Sequence, residues 1–248
     1  MFKIYLLVSV PFFILGYIVF FWKWKKNIQN FYPSNRPFIF GHRGSPKKIT
    51  ENTIASFEKA IEEGADGLEF DVRLSKDNHL VIFHDSSLKR LAGINKKIKH
   101  LTFKEIKEVS LEQNQTIPLL DEIVPLIPKI KAINIEIKSD WLFGGQGIIS
   151  PLIKFLNKHD IDNKCIVSSF NPLILWRLKL QRAHTIIGYL YNRKRLFHLW
   201  SNLVWMCRIR PDNLHIHYSL LDSWVVNWAR NKGMKINSYT INDKKVFD

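Results

Sequence analysis

Cysteine is scarce in this chain of 248 residues, which has only Cys165 and Cys207. Two isolated thiols leave no disulfide framework and no thiolate zinc site, and they fit a reducing compartment. Acid is in short supply as well, with 22 Asp and Glu against 37 Lys and Arg and a formal net charge of +15. Such an excess asks for an anionic counterpart: a lipid surface, a phosphorylated substrate or nucleic acid. No nucleic-acid recognition motif accompanies the charge, which sets that class aside. Internal repeats and low-complexity tracts are missing too.

Long apolar runs are confined to one stretch. From Ile4 to Trp22 the sequence is apolar apart from Ser9, with Lys3 before it and Lys23, Lys25 and Lys26 after it. Its 19 residues approach the roughly 20 that span a bilayer, and Pro11 is tolerable in a membrane helix. A cleaved signal peptide would have a shorter core and a small-residue cleavage site, whereas this stretch ends in Phe20-Phe21-Trp22-Lys23. The expectation is therefore an uncleaved single-pass anchor over residues 1–26, basic flank included. Three lysines on the C-terminal side place the rest of the chain in the cytoplasm. Beside such an anchor the basic surface is expected to face anionic lipid. Residues 27–37, with Pro33, Ser34, Asn35 and Pro37, read as a linker.

The chemistry lies beyond the linker. Glu69 and Asp71 are two apart in Gly67-Leu68-Glu69-Phe70-Asp71-Val72, an alternating strand pattern that puts both carboxylates on one face. Their repulsion is tolerable where a cation or an arginine lies between them. Glu136 and Lys138 share a face in the same way in Ile133-Asn134-Ile135-Glu136-Ile137-Lys138. Glu69, Asp71 and Glu136 supply hard oxygen ligands, and without cysteine or histidine at zinc-like spacing they favour Mg2+ or Ca2+. His42 and His84 follow the apolar runs Phe38-Ile39-Phe40 and Leu80-Val81-Ile82-Phe83, and strand ends are where barrel enzymes place their chemistry. Glu51 is expected to cap or position the first crossover helix, with a supporting role behind His42 as the alternative. His215 and His217 share a strand face, but the sequence offers no further ligand near them.

These pieces occur in order: His42-Arg43-Gly44, Glu51-Asn52-Thr53, Gly64-Ala65-Asp66, Glu69-Phe70-Asp71-Val72, Asp77, His84-Asp85, then Pro118-Leu119-Leu120-Asp121-Glu122, Ile135-Glu136-Ile137-Lys138 and Ser168-Ser169-Phe170. The string resembles the glycerophosphodiester phosphodiesterase family over residues 38–242. The resemblance implies hydrolysis of glycerophosphodiesters to sn-glycerol 3-phosphate and an alcohol, in phospholipid and glycerol metabolism. It implies that Glu69, Asp71 and Glu136 hold the divalent cation, that His42 and His84 are the acid–base pair, and that Arg43 and Lys138 contact phosphate. Tyr239 stands where relatives show tryptophan and is expected to wall the glycerol or head group. After His84-Asp85 the usual Arg-Thr pair is replaced by Lys89-Arg90-Leu91. The sequence also stops at Asp248, short of the family's closing helix and strand.

The architecture implied is an α/β TIM (β/α)8 barrel over 38–248 behind one transmembrane helix. Strands are expected at 38–41, 67–72, 80–84, 132–138, 164–169, 185–190, 213–218 and 235–241. Helices are expected at 53–63, 102–109, 120–127, 147–158, 171–181, 196–207 and 221–232, with Thr102 and Asn171-Pro172 as starts. The 73–79 segment is too short for a helix, and residues 85–118 read as an insertion at the barrel mouth. The basic, aromatic stretch 193–210 reads as a barrel helix with its apolar face on a strand. Were it seated in a membrane, a phospholipase D-like action on lysophospholipids would be favoured. The shortened C-terminus motivates a third reading, a degenerate, non-catalytic barrel.

Overall fold

The computed structural model describes the chain except residues 1–9, 12, 15, 18–21, 25, 28, 29, 34, 141, 192–197 and 244–248. Two compact units are present, one of residues 28–187 and one of residues 1–27 with 188–248.

The first unit begins with β1 (Phe40–His42), α1 (Ile54–Glu62), β2 (Gly67–Leu74) and β3 (Leu80–Ile82), and then makes an excursion carrying the short helices α2 (Lys89–Ala92) and α3 (Phe103–Lys107). It returns through β4 (Ala132–Ile137), α4 (Ile149–His159), β5 (Cys165–Ser169) and α5 (Pro172–Gln181). Local chemistry explains the helix starts. Thr53 caps α1 by accepting from the Ser56 amide, Thr102 and Glu105 form a capping box on α3, and Asn171 caps α5 ahead of Pro172. The segment expected to be an α-helix at 120–127 is instead a 3₁₀ helix, Leu120–Lys129, because Pro125 and Pro128 lack the amide hydrogens of an α-helical ladder.

β1, β2, β4 and β5 run parallel, and their register sets His42 beside Glu69, Asp71 beside Glu136 and Glu136 beside Ser168. The 73–79 segment makes a tight turn, with Asn78 in the left-handed region, and returns β3 antiparallel on β2. β3 is therefore not a barrel stave, which corrects the expectation of eight parallel strands. On one face Leu68, Phe70, Val72, Ile133, Ile135 and Ile137 are buried. The alternating positions Glu69, Asp71, Asn134 and Glu136 project from the other face and are buried as well. Outside the sheet, Leu88, Ile98, Ile106 and Ile117 close a second apolar cluster over Val81 and Phe83, anchoring the excursion.

The second unit carries β6 (Ile186–Leu190, its last three residues), α6 (His198–Ile209), β7 (Asn213–His217), α7 (Trp224–Asn231) and β8 (Lys235–Tyr239). β6, β7 and β8 are parallel. Leu203, Met206 and Ile209 bury one face of α6, the arrangement expected of a barrel helix.

The N-terminal expectation is corrected. Among the described residues no helix is long and apolar enough to cross a membrane. Much of the 4–22 run lies outside the described residues, its described part from 10 to 17 is helical, and non-helical backbone follows from Trp22. Lysines read as a membrane flank are used within the second unit instead. Lys26 donates to the Pro211 carbonyl and stacks over Trp24, whose ring meets Trp228 edge-on at 5.5 Å. The single-pass membrane anchor, and the cytoplasmic orientation drawn from its flanking charge, therefore lose their support.

Phe70 is fully buried and its ring lies 5.6 Å from that of Phe57. Phe70→Ala is expected to destabilise the fold by about 3–5 kcal/mol, against about 0.5 kcal/mol or less for Leu180→Ala at an exposed site. Equal urea midpoints for the two variants would contradict this packing.

Candidate active site

The site grows from the tight turn that ends β1. Arg43 and Gly44 both adopt positive φ, 59° and 87°, which turns the chain sharply back toward the start of α1. At Gly44 even a Cβ is excluded, since it would lie 2.4 Å from Ser56 Oγ. The turn aims the Arg43 amide at Glu69, donating to its carbonyl at 2.9 Å and its Oε2 at 3.1 Å. It also brings Arg43 Nε to 3.2 Å from Asp71 Oδ2.

Three carboxylates converge from β2 and β4. Glu69, Asp71 and Glu136 each offer an oxygen within 4.8 Å of the others, and all three residues are buried. Among the described residues no other group of three or more His, Cys, Asp or Glu comes together in this way. His42 Nε2 lies 3.8 Å from Glu69 Oε2. Lys138 Nζ bonds Glu136 Oε1 at 2.6 Å and stands 3.4 Å from Asp71 Oδ1. Two cations thus face three buried anions, and Glu69 Oε1 and Asp71 Oδ1 have no hydrogen bond. That deficit of one positive charge, with orphaned hard oxygens, suits a divalent cation.

The electrostatics agree. Burial, then the neighbouring charges of Asp71 and Glu136, holds the Glu69 carboxyl well above its ordinary range. Glu136 is also raised, by burial and by Asp71, against the pull of Lys138. Burial would raise Asp71 too, but Lys138 and Arg43 outweigh it and the group sits below its ordinary value. Burial foremost, with the Arg43 charge, lowers His42 to about 4. His84 is lowered by burial, with Asp71 and Asp85 opposing.

Around this centre lie partners that the sequence reading missed. Asn52, almost fully buried, donates to Asp71 Oδ2 at 2.8 Å and accepts from the Asp71 amide at 3.3 Å. Its neighbours suggested a helix cap, but Thr53 performs that task. Glu51, expected to cap or position α1, instead pairs with Arg43 Nη1 at 3.0 Å and with both terminal nitrogens of Arg90 at 2.6 and 3.1 Å. Arg90 Nε reaches Asp85 Oδ2 at 2.7 Å, and Asp85 Oδ1 bonds His84 Nδ1 at 2.6 Å. One guanidinium thus links the partners of His84 and of Arg43. Beside His84 a cleft of about 610 Å³ opens, lined by Arg73, Asp85, Ser86, Ser87, Lys89 and Arg90.

His42, Arg43, Glu69, Asp71, His84, Glu136 and Lys138 are therefore gathered within the first unit. Tyr239 belongs to the second, where it ends β8 with its hydroxyl 3.4 Å from the Tyr191 carbonyl and its ring edge-on to His217. His215 is buried and bonds Asn237, so it is committed within that unit.

Parallel strands carrying a buried acidic triad, with two imidazoles and two cations beside it, define a hydrolase site for a phosphate ester assisted by a divalent cation. The sequence pattern of the glycerophosphoryl diester phosphodiesterase family matches residues 42–248, and the chain belongs to that family. A glycerophosphodiester phosphodiesterase of Caldanaerobacter subterraneus subsp. tengcongensis is 34% identical over 218 residues, covering 85% of this chain and 88% of that protein. Among solved structures, a glycerophosphodiester phosphodiesterase of Thermotoga maritima is similar at 33% identity with a TM-score of 0.72, covering 87% of this chain and 90% of that one. A phosphodiesterase of Oleispira antarctica, solved with the product sn-glycerol-3-phosphate, is 30% identical with a TM-score of 0.75, covering 86% and 88%.

Raised carboxyl groups bind protons that a cation must displace. The affinity for Mg2+ or Ca2+ is expected to fall as pH is lowered, beginning at a pH where free glutamate, with a pKa of about 4.3, is still ionised. Calorimetry in buffers of different ionisation enthalpy should show protons released on binding, and identical heats would refute it. The sign for stability follows. Without a cation, a carboxyl raised on folding weakens the fold at neutral pH and ceases to do so as pH falls through its folded pKa. Cation at 100-fold its Kd should add about 2.7 kcal/mol at neutral pH, and less in acid.

Proposed function

We propose that this chain hydrolyses glycerophosphodiesters to sn-glycerol 3-phosphate and an alcohol, with Glu69, Asp71 and Glu136 as ligands of a divalent cation, Mg2+ or Ca2+. The observation that carries this reading is the buried triad, short of one positive charge and bordered by both histidines. When bound, a divalent cation supplies positive charge to the phosphoryl oxygens. A phosphodiester brings the single negative charge that the loaded site then lacks, and its charge grows on the equatorial oxygens as the nucleophile attacks. Arg43 stabilises that growth, held in place by its bonds to Glu51 and by the strained turn of its backbone. Lys138, on the opposite side of Asp71, adds the second cation.

The two imidazoles take different parts. His42 has no hydrogen-bonded carboxylate to stabilise a charge, and its lowered pKa leaves it neutral near pH 7, so it accepts the proton of the attacking oxygen. His84 is lowered by burial as well, but Asp85, bonded to its Nδ1, and Asp71 oppose that lowering, which favours the protonated ring here over His42 and leaves Nε2 to donate to the departing alkoxide as the bond from phosphorus to the alcohol oxygen breaks. Asn52 positions Asp71 and so acts through a ligand residue. The relatives named above support the substrate class by the activity in their names and by the glycerol phosphate product bound in one of them.

The test is glycerol 3-phosphate release from glycerophosphoethanolamine by the full chain, with EDTA, Mg2+ or Ca2+. Release is expected to need the cation and to vanish in Glu136→Ala. His42→Ala and His84→Ala should each lower kcat by about 10² to 10⁴, with the circular dichroism spectrum unchanged. Undiminished release in either histidine variant would remove that residue from its role.

A further inference from the structure

The cleft beside His84 differs in character from the triad. Its walls come from β2 and from the excursion after β3, and the only carboxylate among the lining residues is Asp85. Asp85 is already engaged by His84 and Arg90. Arg90 is committed to Asp85 and Glu51, and Arg73 pairs with Asp140 at 2.8 Å while donating to the His84 carbonyl. Lys89 stands apart from these, being exposed and having no ion-pair partner among the described residues. Between residues 85 and 100 it is joined by Arg90, Lys96, Lys97 and Lys99, against Asp85 as the one acid. Ser86 and Ser87 add hydroxyl groups to the lining.

We infer that this cleft receives the departing alcohol and selects head groups that carry a negative charge, with Lys89 as the residue that sets the preference. The inference rests on the reading above, in which His84 protonates the leaving oxygen, because that role puts the alcohol on the side of His84 where the cleft opens. Its lining has no Phe, Tyr or Trp ring and no uncommitted carboxylate, the groups that hold a quaternary ammonium or a primary amine. A carboxylate or a further phosphate on the head group, by contrast, meets Lys89 and the surrounding positive field, and the serine hydroxyls suit a polar, hydroxylated moiety.

Glycerophosphoserine and glycerophosphoethanolamine differ by one carboxylate and make the matched pair. For the full chain loaded with Mg2+, kcat/KM is expected to be at least tenfold higher for the serine compound at low ionic strength, and the ratio should shrink as salt shortens the screening length to about 10 Å at 0.1 M. Lys89→Gln should bring the ratio within about threefold of unity, and Lys89→Glu should bring it to unity or reverse it, the change appearing in KM for the serine compound with the circular dichroism spectrum unchanged. Equal or reversed preference in the unmodified chain, or a ratio that Lys89→Glu leaves unmoved, would overturn the inference. Calorimetric binding of the two compounds separates it from the hydrolytic reading. Tighter binding of the serine compound by a chain that cleaves neither would uphold the cleft and refute the reaction, while cleavage of both without discrimination in binding would do the reverse.

Discussion

Three carboxylates held close together in a buried place dominate the first unit. In water their repulsion would be slight, but here burial, joined by the charges of Asp71 and Glu136, holds Glu69 above its ordinary range, while Lys138 and Arg43 hold Asp71 below its own against the same burial. The surrounding residues are arranged to make that concentration of charge tenable. Arg43 and Lys138 approach Asp71 from two sides, Asn52 satisfies one of its oxygens, and the strained Arg43–Gly44 turn presents a backbone amide to Glu69. What these contacts leave unsatisfied, Glu69 Oε1 and Asp71 Oδ1, could be met by a cation. A well-packed apolar cluster would have been the more stable solution, so the arrangement is explained by chemistry rather than by folding.

The excursion after β3 has a different task. It carries its own apolar cluster, in which Leu88, Ile98 and Ile106 are fully buried, so packing of its own holds it against β3. That packing matters because Asp85 and Arg90 reach His84 and Glu51 from it. Arg90 spends all three of its guanidinium nitrogens on Asp85 and Glu51, and the fork geometry that only arginine offers ties the loop bearing His84 to the turn bearing Arg43. The replacement of the family's Arg-Thr pair by Lys89-Arg90-Leu91 thus keeps the guanidinium link and sets beside it a lysine with no ion-pair partner among the described residues.

The N-terminal run shows how an apolar stretch is misread from composition alone. Hydropathy and flanking lysines suggested a spanning helix, but among the described residues no helix is long and apolar enough to cross a membrane, and residues just after the run pack within the second unit. Trp24 and Lys232 are buried within the second unit, and Lys232 donates to the Trp22 carbonyl while lying over the rings of Trp24 and Trp228. Lys26, read in the sequence as part of a membrane flank, donates in the folded chain to the Pro211 carbonyl.

The sequence by itself determined the order and nearly the extent of the strands, the starts of α1, α3 and α5, the acidic triad and the two histidines. These follow from two-residue alternation, capping side chains and i,i+2 spacing, all of which act between near neighbours in the chain. Tertiary structure alone decided that β3 turns back antiparallel, that Asn52 crosses 19 residues of sequence to hold Asp71, and that Glu51 and Asp85 meet at Arg90. It also decided that Lys89, near His84, has no ion-pair partner among the described residues. Such pairings depend on where distant segments are brought by packing and register, and neither propensity nor periodicity encodes the angle and distance at which two side chains from different elements finally meet.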